Sequence, residues 1–113
     1  MIDWGRVESL RAELGNDDFG EVVDLFLEEV EEVIARLKRK PDPASYEEDL
    51  HFLKGGALNL GFRALSDACH EGERRAADGR PETVDINLVI ELYQKSRISF
   101  LQGSKDARRR SAG

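Results

Sequence analysis

Apolar residues recur at intervals of three and four along most of the chain, the spacing that places them on one face of an α-helix. The longest stretch of this kind covers residues 19–37, with acidic residues on the opposite side. Its apolar positions are Phe19, Val22, Val23, Phe26, Val30, Val33, Ile34 and Leu37. Pro41 and Pro43 end this helix. Asp42 and Pro43 then predict an N-cap and a first-turn proline for the next helix, which we expect to end at Gly61.

Three further patterns surround these two helices: a short N-terminal helix, a narrow stripe of small residues, and a last amphipathic helix. Their apolar positions are, in chain order, Trp4, Val7, Leu10 and Leu14; Leu65, Ala68, Cys69, Gly72 and Ala76; and Ile86, Val89, Ile90, Tyr93, Phe100 and Leu101. No stretch shows a convincing strand pattern. The sequence therefore predicts an all-α fold, an antiparallel up-down four-helix bundle with a short additional N-terminal helix.

Length and composition narrow the class of protein. With 113 residues the chain makes one small domain, and its single cysteine, Cys69, excludes an internal disulfide. One cysteine with two histidines also argues against a structural zinc site and fits a reducing compartment. The sequence has no signal-peptide pattern and no apolar run approaching the roughly 20 residues that span a bilayer. We expect a cytoplasmic protein with no membrane association.

The net charge of -6 is unevenly distributed. Residues 104–113 carry four basic side chains against one acidic one, so the rest of the chain is strongly acidic. An acidic body makes nucleic acid a poor partner. We predict a helical-bundle domain over residues 1–103 and a basic, disordered tail over residues 104–113.

The candidate chemistry lies in the run from His51 to Gly61. At 3.6 residues per turn, His51, Lys54 and Gly55 share one face of the predicted helix. The core positions lie on the other side: Tyr46, Leu50, Leu53, Ala57 and Leu60. The histidine is therefore predicted to face solvent, with a cation one turn away. A glycine in a helix interior lowers helix stability by about 0.5–1 kcal/mol relative to alanine. A functional reason to keep glycine here is that the bare backbone lets another protein approach the imidazole.

Five positions of this run, His51, Lys54, Gly55, Leu60 and Gly61, spell the pattern His-x-x-Lys-Gly-x-x-x-x-Leu-Gly. This pattern resembles the signature of histidine-containing phosphotransfer (HPt) domains. The chain is also similar to that family in length and in its succession of helices. It departs from the family directly after the Lys-Gly pair, where a second glycine stands in place of a frequent serine. The resemblance implies the same helical fold.

The resemblance further implies a phosphocarrier of a two-component phosphorelay. The Nε2 atom of His51 would attack an aspartyl phosphate on a response-regulator receiver domain and pass the phosphoryl group to another receiver domain. Lys54 would pair with the phosphate oxygens. The implied partners are receiver domains and a hybrid sensor histidine kinase. We expect the chain to be a monomer that binds no cofactor, because the receiver would supply the Mg²⁺. Because the sequence has no nucleotide-binding motif, we expect no autonomous kinase activity.

A partner is expected to dock around His51. Gly55 leaves the backbone bare, and Leu58 shares the histidine's side although it is apolar. Glu47 lies one turn before the histidine. Phe62 would project the same way if the helix continued that far, and would be buried if the helix ended before it. We assign these four residues to partner docking.

Glu73, at the edge of the small-residue stripe, is the residue that the resemblance assigns to orienting the imidazole, through a hydrogen bond to the ring nitrogen that does not react. Two other functions stay open at this point. The chain could dock on a receiver or sensor kinase without covalent transfer. It could also be a metal-binding or ligand-binding bundle, which is disfavoured because such sites use inward-facing side chains and His51 is predicted to face outward.

Overall fold

A computed structural model describes the backbone of residues 2–112 and the side chains of residues 2–103. Five α-helices follow one another: α1 (Trp4–Leu14), α2 (Asn16–Arg39), α3 (Tyr46–Leu60), α4 (Arg63–Ala77) and α5 (Ile86–Ala112). Short 3₁₀ turns, Pro43–Ser45 and Pro81–Thr83, precede α3 and α5. The predicted all-α fold is confirmed. The predicted tail, residues 104–113, lies outside the described side chains, and its separation from the domain stays a prediction.

Helix α2 forms where the apolar periodicity predicts it. Acidic residues occupy its first turn and basic residues its last turn, an arrangement that complements the helix dipole at both ends. One face is buried, with Leu27 joining the predicted positions: Phe19, Val23, Leu27, Val30, Ile34 and Leu37. No helix of the described residues is long and apolar enough to cross a membrane.

The connection between α2 and α3 is held by a largely buried carboxylate. Asp49 accepts two hydrogen bonds from the Arg36 guanidinium, at 2.6 and 2.9 Å, and one from the Ser45 hydroxyl at 2.8 Å. Burial raises the pKa of Asp49, but the bonds from Arg36 and Ser45 outweigh it and hold the pKa below its usual value. Asp42 was expected to cap α3 itself. It instead caps the 3₁₀ turn, accepting from the Ala44 N–H, because that turn separates it from α3.

Helix α3 ends where predicted, at Gly61, which adopts a left-handed conformation with φ +74°. Its N–H bonds back to the last turn of the helix. Its carbonyl accepts the Asp3 N–H at 2.7 Å, which ties the N-terminal segment to this end of the bundle. A Cβ atom on Gly61 would lie 2.6 Å from the Asp3 carbonyl oxygen, so both the backbone conformation and the close approach require glycine.

This ending corrects the interpretation of Phe62. The helix stops before it, and the residue forms an isolated antiparallel bridge with Ile2. Its ring is fully buried against Tyr93 and Phe100 of α5, with centroid separations of 6.5 and 5.6 Å. The assignment of Phe62 to a partner-docking surface is therefore wrong, and the residue belongs to the core.

Small residues let α3 pack closely on both neighbours. A Cβ atom on Gly56 would lie 2.9 Å from a methyl group of Val30 in α2. A Cβ atom on Gly72 of α4 would lie 2.8 Å from a methyl group of Leu50. Helix α3 is thus held closely between α2 and α4, and the side that contains His51 faces solvent.

We predict that Gly61→Ala destabilises the domain more than Gly79→Ala. Both glycines have positive φ, +74° and +78°, but a Cβ on Gly79 meets nothing within 4 Å. Gly79→Ala should cost about 1 kcal/mol from backbone strain alone, and Gly61→Ala about 2–4 kcal/mol because it adds a clash with backbone. Chemical denaturation of both variants measures the difference. Equal losses would show that the contact between Gly61 and the N-terminal segment is unimportant.

Candidate functional site

His51 lies in the middle of α3 on the side turned away from the core. The five predicted core positions of this helix are all buried, as the periodicity requires: Tyr46, Leu50, Leu53, Ala57 and Leu60. The imidazole side chain is 73% exposed. The histidine is thus presented on a rigid helix and is accessible to another macromolecule.

The imidazole is held from α4 by a carboxylate. The Nδ1 atom of His51 lies 3.1 and 3.2 Å from the two carboxylate oxygens of Glu73. An ionised carboxylate can only accept hydrogen bonds, so this contact requires a hydrogen on Nδ1. In the neutral ring the Nε2 atom then carries the lone pair, which is the form that a nitrogen nucleophile needs.

Lys54 shares the same carboxylate. Its ammonium nitrogen lies 3.1 Å from one Glu73 oxygen and 3.2 Å from the other. The side chains of Lys54 and Glu73 are each 21% exposed, much less than that of His51. Desolvation raises the pKa of Glu73, but the hydrogen bonds and charges contributed by Lys54 and His51 prevail and lower it. Glu73 is therefore ionised at neutral pH.

The predicted docking residues other than Phe62 surround the histidine. A Cβ atom on Gly55 would meet nothing within 4 Å, so the space above this part of α3 is open. Leu58 is 56% exposed two turns after His51, and Glu47 is exposed one turn before it. The structure brings Glu47, His51, Gly55 and Leu58 onto one accessible side of α3, which we call the histidine face.

Phe52, one position after His51, lies beside the histidine face on α3 and was missed by the sequence analysis. Its side chain is 44% exposed although the residue is large and apolar. The signal was present in the pattern, because Phe52 falls outside the core stripe that contains Leu50 and Leu53. Phe52 and Leu58 are therefore two large apolar side chains exposed on α3, on and beside the histidine face.

No group of three or more histidine, cysteine, aspartate or glutamate side chains is placed to hold a metal ion within the described part of the chain. Cys69 is buried in α4, and burial, with the Glu73 charge, raises its pKa to about 12. A thiol in this state is not a nucleophile at neutral pH. The accessible reactive group of this region is the imidazole of His51.

Comparison with known proteins identifies the family of this chain. The Hpt domain family matches residues 21–98, which include most of α2, all of α3 and α4, the first part of α5, and the site. The chain belongs to the Hpt domain family. This Hpt protein is also similar to the phosphorelay protein LuxU of Vibrio vulnificus, strains YJ016 and CMCP6, with 27% identity over 106 residues in each case. The alignment covers 89% of this chain and 92% of the relative. No solved structure matches the chain significantly.

Membership in this family indicates the general function of the protein. This Hpt protein carries out histidine phosphotransfer in a two-component phosphorelay, and it interacts there with receiver domains and kinases. Phosphotransfer carriers of this kind are not kinases. A carrier needs an exposed imidazole whose reactive nitrogen is free, and the arrangement of His51 and Glu73 has both properties.

Proposed function

We propose that His51 is the residue that carries the phosphoryl group. The observation that supports this most strongly is the 3.1 Å contact between Nδ1 and Glu73, which leaves Nε2 as the free nucleophilic nitrogen on an exposed ring. The other histidine of the chain, His70, is exposed on α4, but has no carboxylate within ion-pairing distance in the described residues. We assign the orientation of the ring to Glu73.

The transfer proceeds by displacement at phosphorus. The Nε2 lone pair of His51 forms a bond to the phosphorus of an aspartyl phosphate on a receiver. The bond between phosphorus and the aspartyl oxygen breaks, and its electron pair remains on the receiver's carboxylate. A second receiver aspartate reverses this step and takes the group from Nε2. In such transfers a protein acts mainly by positioning groups and by stabilising charge.

Lys54 is the cation that this chain contributes to the phosphoryl group. Its ammonium lies one turn from His51 and is already held near the ring by Glu73. Ammonium–phosphate contacts are charge-assisted and strong for hydrogen bonds. The chain binds no cofactor of its own in this proposal, and Mg²⁺ comes from the receiver's active site.

The histidine face is the surface that a receiver covers. Gly55 allows close approach, Leu58 and Phe52 supply apolar contact, and Glu47 lies at its edge. The chain acts as a monomer, since one accessible face is sufficient, and it works in the cytoplasm beside a hybrid sensor histidine kinase. It has no kinase activity of its own and depends on a receiver or kinase domain for its phosphoryl group.

Transfer to His51 is tested with a labelled, phosphorylated receiver and Mg²⁺. We expect the wild-type chain to take up label that is labile in acid and stable in alkali. His51→Gln should lose the label and remain folded, because the side chain is exposed, while His70→Gln serves as the control and should keep it. Label on His51→Gln would contradict the assignment. Binding of a receiver with no transfer would instead favour the non-covalent docking function.

A pair of glycine substitutions tests the histidine face. Gly55 and Gly20 are both helical, and a Cβ on either meets nothing within 4 Å. Gly55→Ala and Gly20→Ala should each stabilise the fold by about 0.5–1 kcal/mol, because alanine favours the helix. Only Gly55→Ala and the larger Gly55→Gln should slow transfer from the receiver. The transfer rate and the thermal stability are both measured for each variant. An unchanged transfer rate for Gly55→Gln would show that the partner does not approach α3 at Gly55.

A further inference from the structure

We propose that Glu73 keeps the hydrogen of His51 on Nδ1 through both transfer steps, so that the phosphorylated ring remains a protonated phosphoimidazole and leaves as neutral imidazole. This inference rests on the proposed phosphorylation of His51 and assigns a second task to the same contact. In the first transfer Glu73 selects the nucleophilic nitrogen. In the second it maintains the ring in the form that releases the group readily.

The proton balance of the first step gives the reason. Before attack the ring has a hydrogen on Nδ1 and a lone pair on Nε2. When Nε2 bonds to phosphorus, no proton needs to leave, and the product is a ring with a positive charge. Loss of the Nδ1 hydrogen would place a nitrogen lone pair about 3.1 Å from a carboxylate oxygen that also can only accept. That arrangement replaces a charge-assisted hydrogen bond with repulsion.

The second step depends on the same hydrogen. If Nδ1 keeps it, cleavage of the bond between nitrogen and phosphorus returns the electron pair to Nε2 and produces neutral imidazole. If Nδ1 has lost it, the same cleavage expels an imidazolate anion, a much poorer leaving group. A carboxylate on Nδ1 therefore favours forward transfer out of the phosphorylated state and shortens its lifetime in water.

The charges around the ring agree with this task. On α4, Glu73 contacts Nδ1, and His70 lies one turn earlier. On α3, Lys54 lies one turn after His51, and both Glu47 and Glu48 lie one turn before it. Lys54 holds the Glu73 carboxylate at 3.1 Å and so keeps it ionised and in place. Among these groups in the described residues, Glu73 is the acceptor that contacts the non-reacting nitrogen.

An amide at this position would behave differently from a carboxylate. The side chain of glutamine has both an acceptor oxygen and an N–H₂ donor. Its oxygen can accept from a protonated Nδ1, and after rotation its N–H₂ group can donate to an unprotonated Nδ1. Glu73→Gln therefore still orients the ring but no longer favours one protonation state of phosphohistidine.

The test measures the lifetime of phosphohistidine without a partner. Wild type, Glu73→Gln and Glu48→Gln are loaded with phosphoramidate, the reagent is removed, and loss of the phosphoryl group is followed by ³¹P NMR between about pH 6 and pH 9. At about pH 8 we expect Glu73→Gln to retain its phosphoryl group roughly tenfold longer than wild type, the effect of a carboxylate on the protonation of a neighbouring ring. Glu48→Gln removes a nearby negative charge without touching Nδ1 and should follow wild type.

Equal lifetimes for wild type and Glu73→Gln would overturn the inference, and so would an equal lengthening in Glu48→Gln, which would indicate a general charge effect. A direct reading comes from ¹⁵N NMR of phosphorylated wild type at about pH 8, which needs no variant. A protonated Nδ1 supports the inference, and an unprotonated Nδ1 refutes it. These outcomes concern the protonation of phosphohistidine and do not test whether a receiver transfers its phosphoryl group to His51, which the labelling experiment with His51→Gln tests separately. If neither phosphoramidate nor a phosphorylated receiver loads His51, the proposed function itself fails.

Discussion

The contact between the Glu73 carboxylate and the imidazole of His51 is the interaction on which the rest of the site depends. It crosses from α4 to α3, and it determines which ring nitrogen is free to react. The same carboxylate positions Lys54, the one cation within ion-pairing distance of it among the described residues. In the proposed mechanism, one acidic side chain thus organises both the nucleophile and the cation that contacts the phosphoryl group.

This contact orients the imidazole ring and contributes little to the stability of the fold. His51 is 73% exposed, and ion pairs at such positions typically contribute only about 0–1 kcal/mol to folding. Water competes for the ring, so the carboxylate must be well placed for the bond to persist. Burial of most of the Glu73 side chain and its second bond to Lys54 restrict it to that place. The fold therefore restrains the side chain of Glu73 more than that of His51.

Close packing of three helices makes the contact possible. Gly72 lets α4 approach Leu50 of α3, and Gly56 lets α3 approach Val30 of α2. At its other end α3 stops at Gly61, where the N-terminal segment is attached through the Asp3 N–H. These glycines carry no chemistry. Gly72 allows the close approach of α4 to α3 across which Glu73 contacts His51, whereas Gly56 and Gly61 let α3 approach α2 and the N-terminal segment.

Much of this arrangement could be predicted from the sequence. The period of apolar residues along α2 and α3 is strong, so the helices, the core stripe and the outward direction of His51 followed from it. The distance between Glu73 and His51 could not follow, because it depends on the register between two helices, which periodicity does not contain. Phe62 was wrongly assigned because its position depends on how Gly61 ends α3 and on a bridge to Ile2, a contact distant in sequence. Phe52 was missed because its position outside the core stripe shows only that it is exposed, and exposed apolar residues are common.

The most direct test of this account is the tautomer of His51 in the unphosphorylated protein, read from the ¹⁵N chemical shifts of the two ring nitrogens at a pH where the ring is neutral. The account predicts a hydrogen on Nδ1 and none on Nε2, with a shift toward the other tautomer when Glu73 is replaced by alanine. A hydrogen on Nε2 in the wild-type protein would contradict it, because the nitrogen that must attack phosphorus would then have no free lone pair.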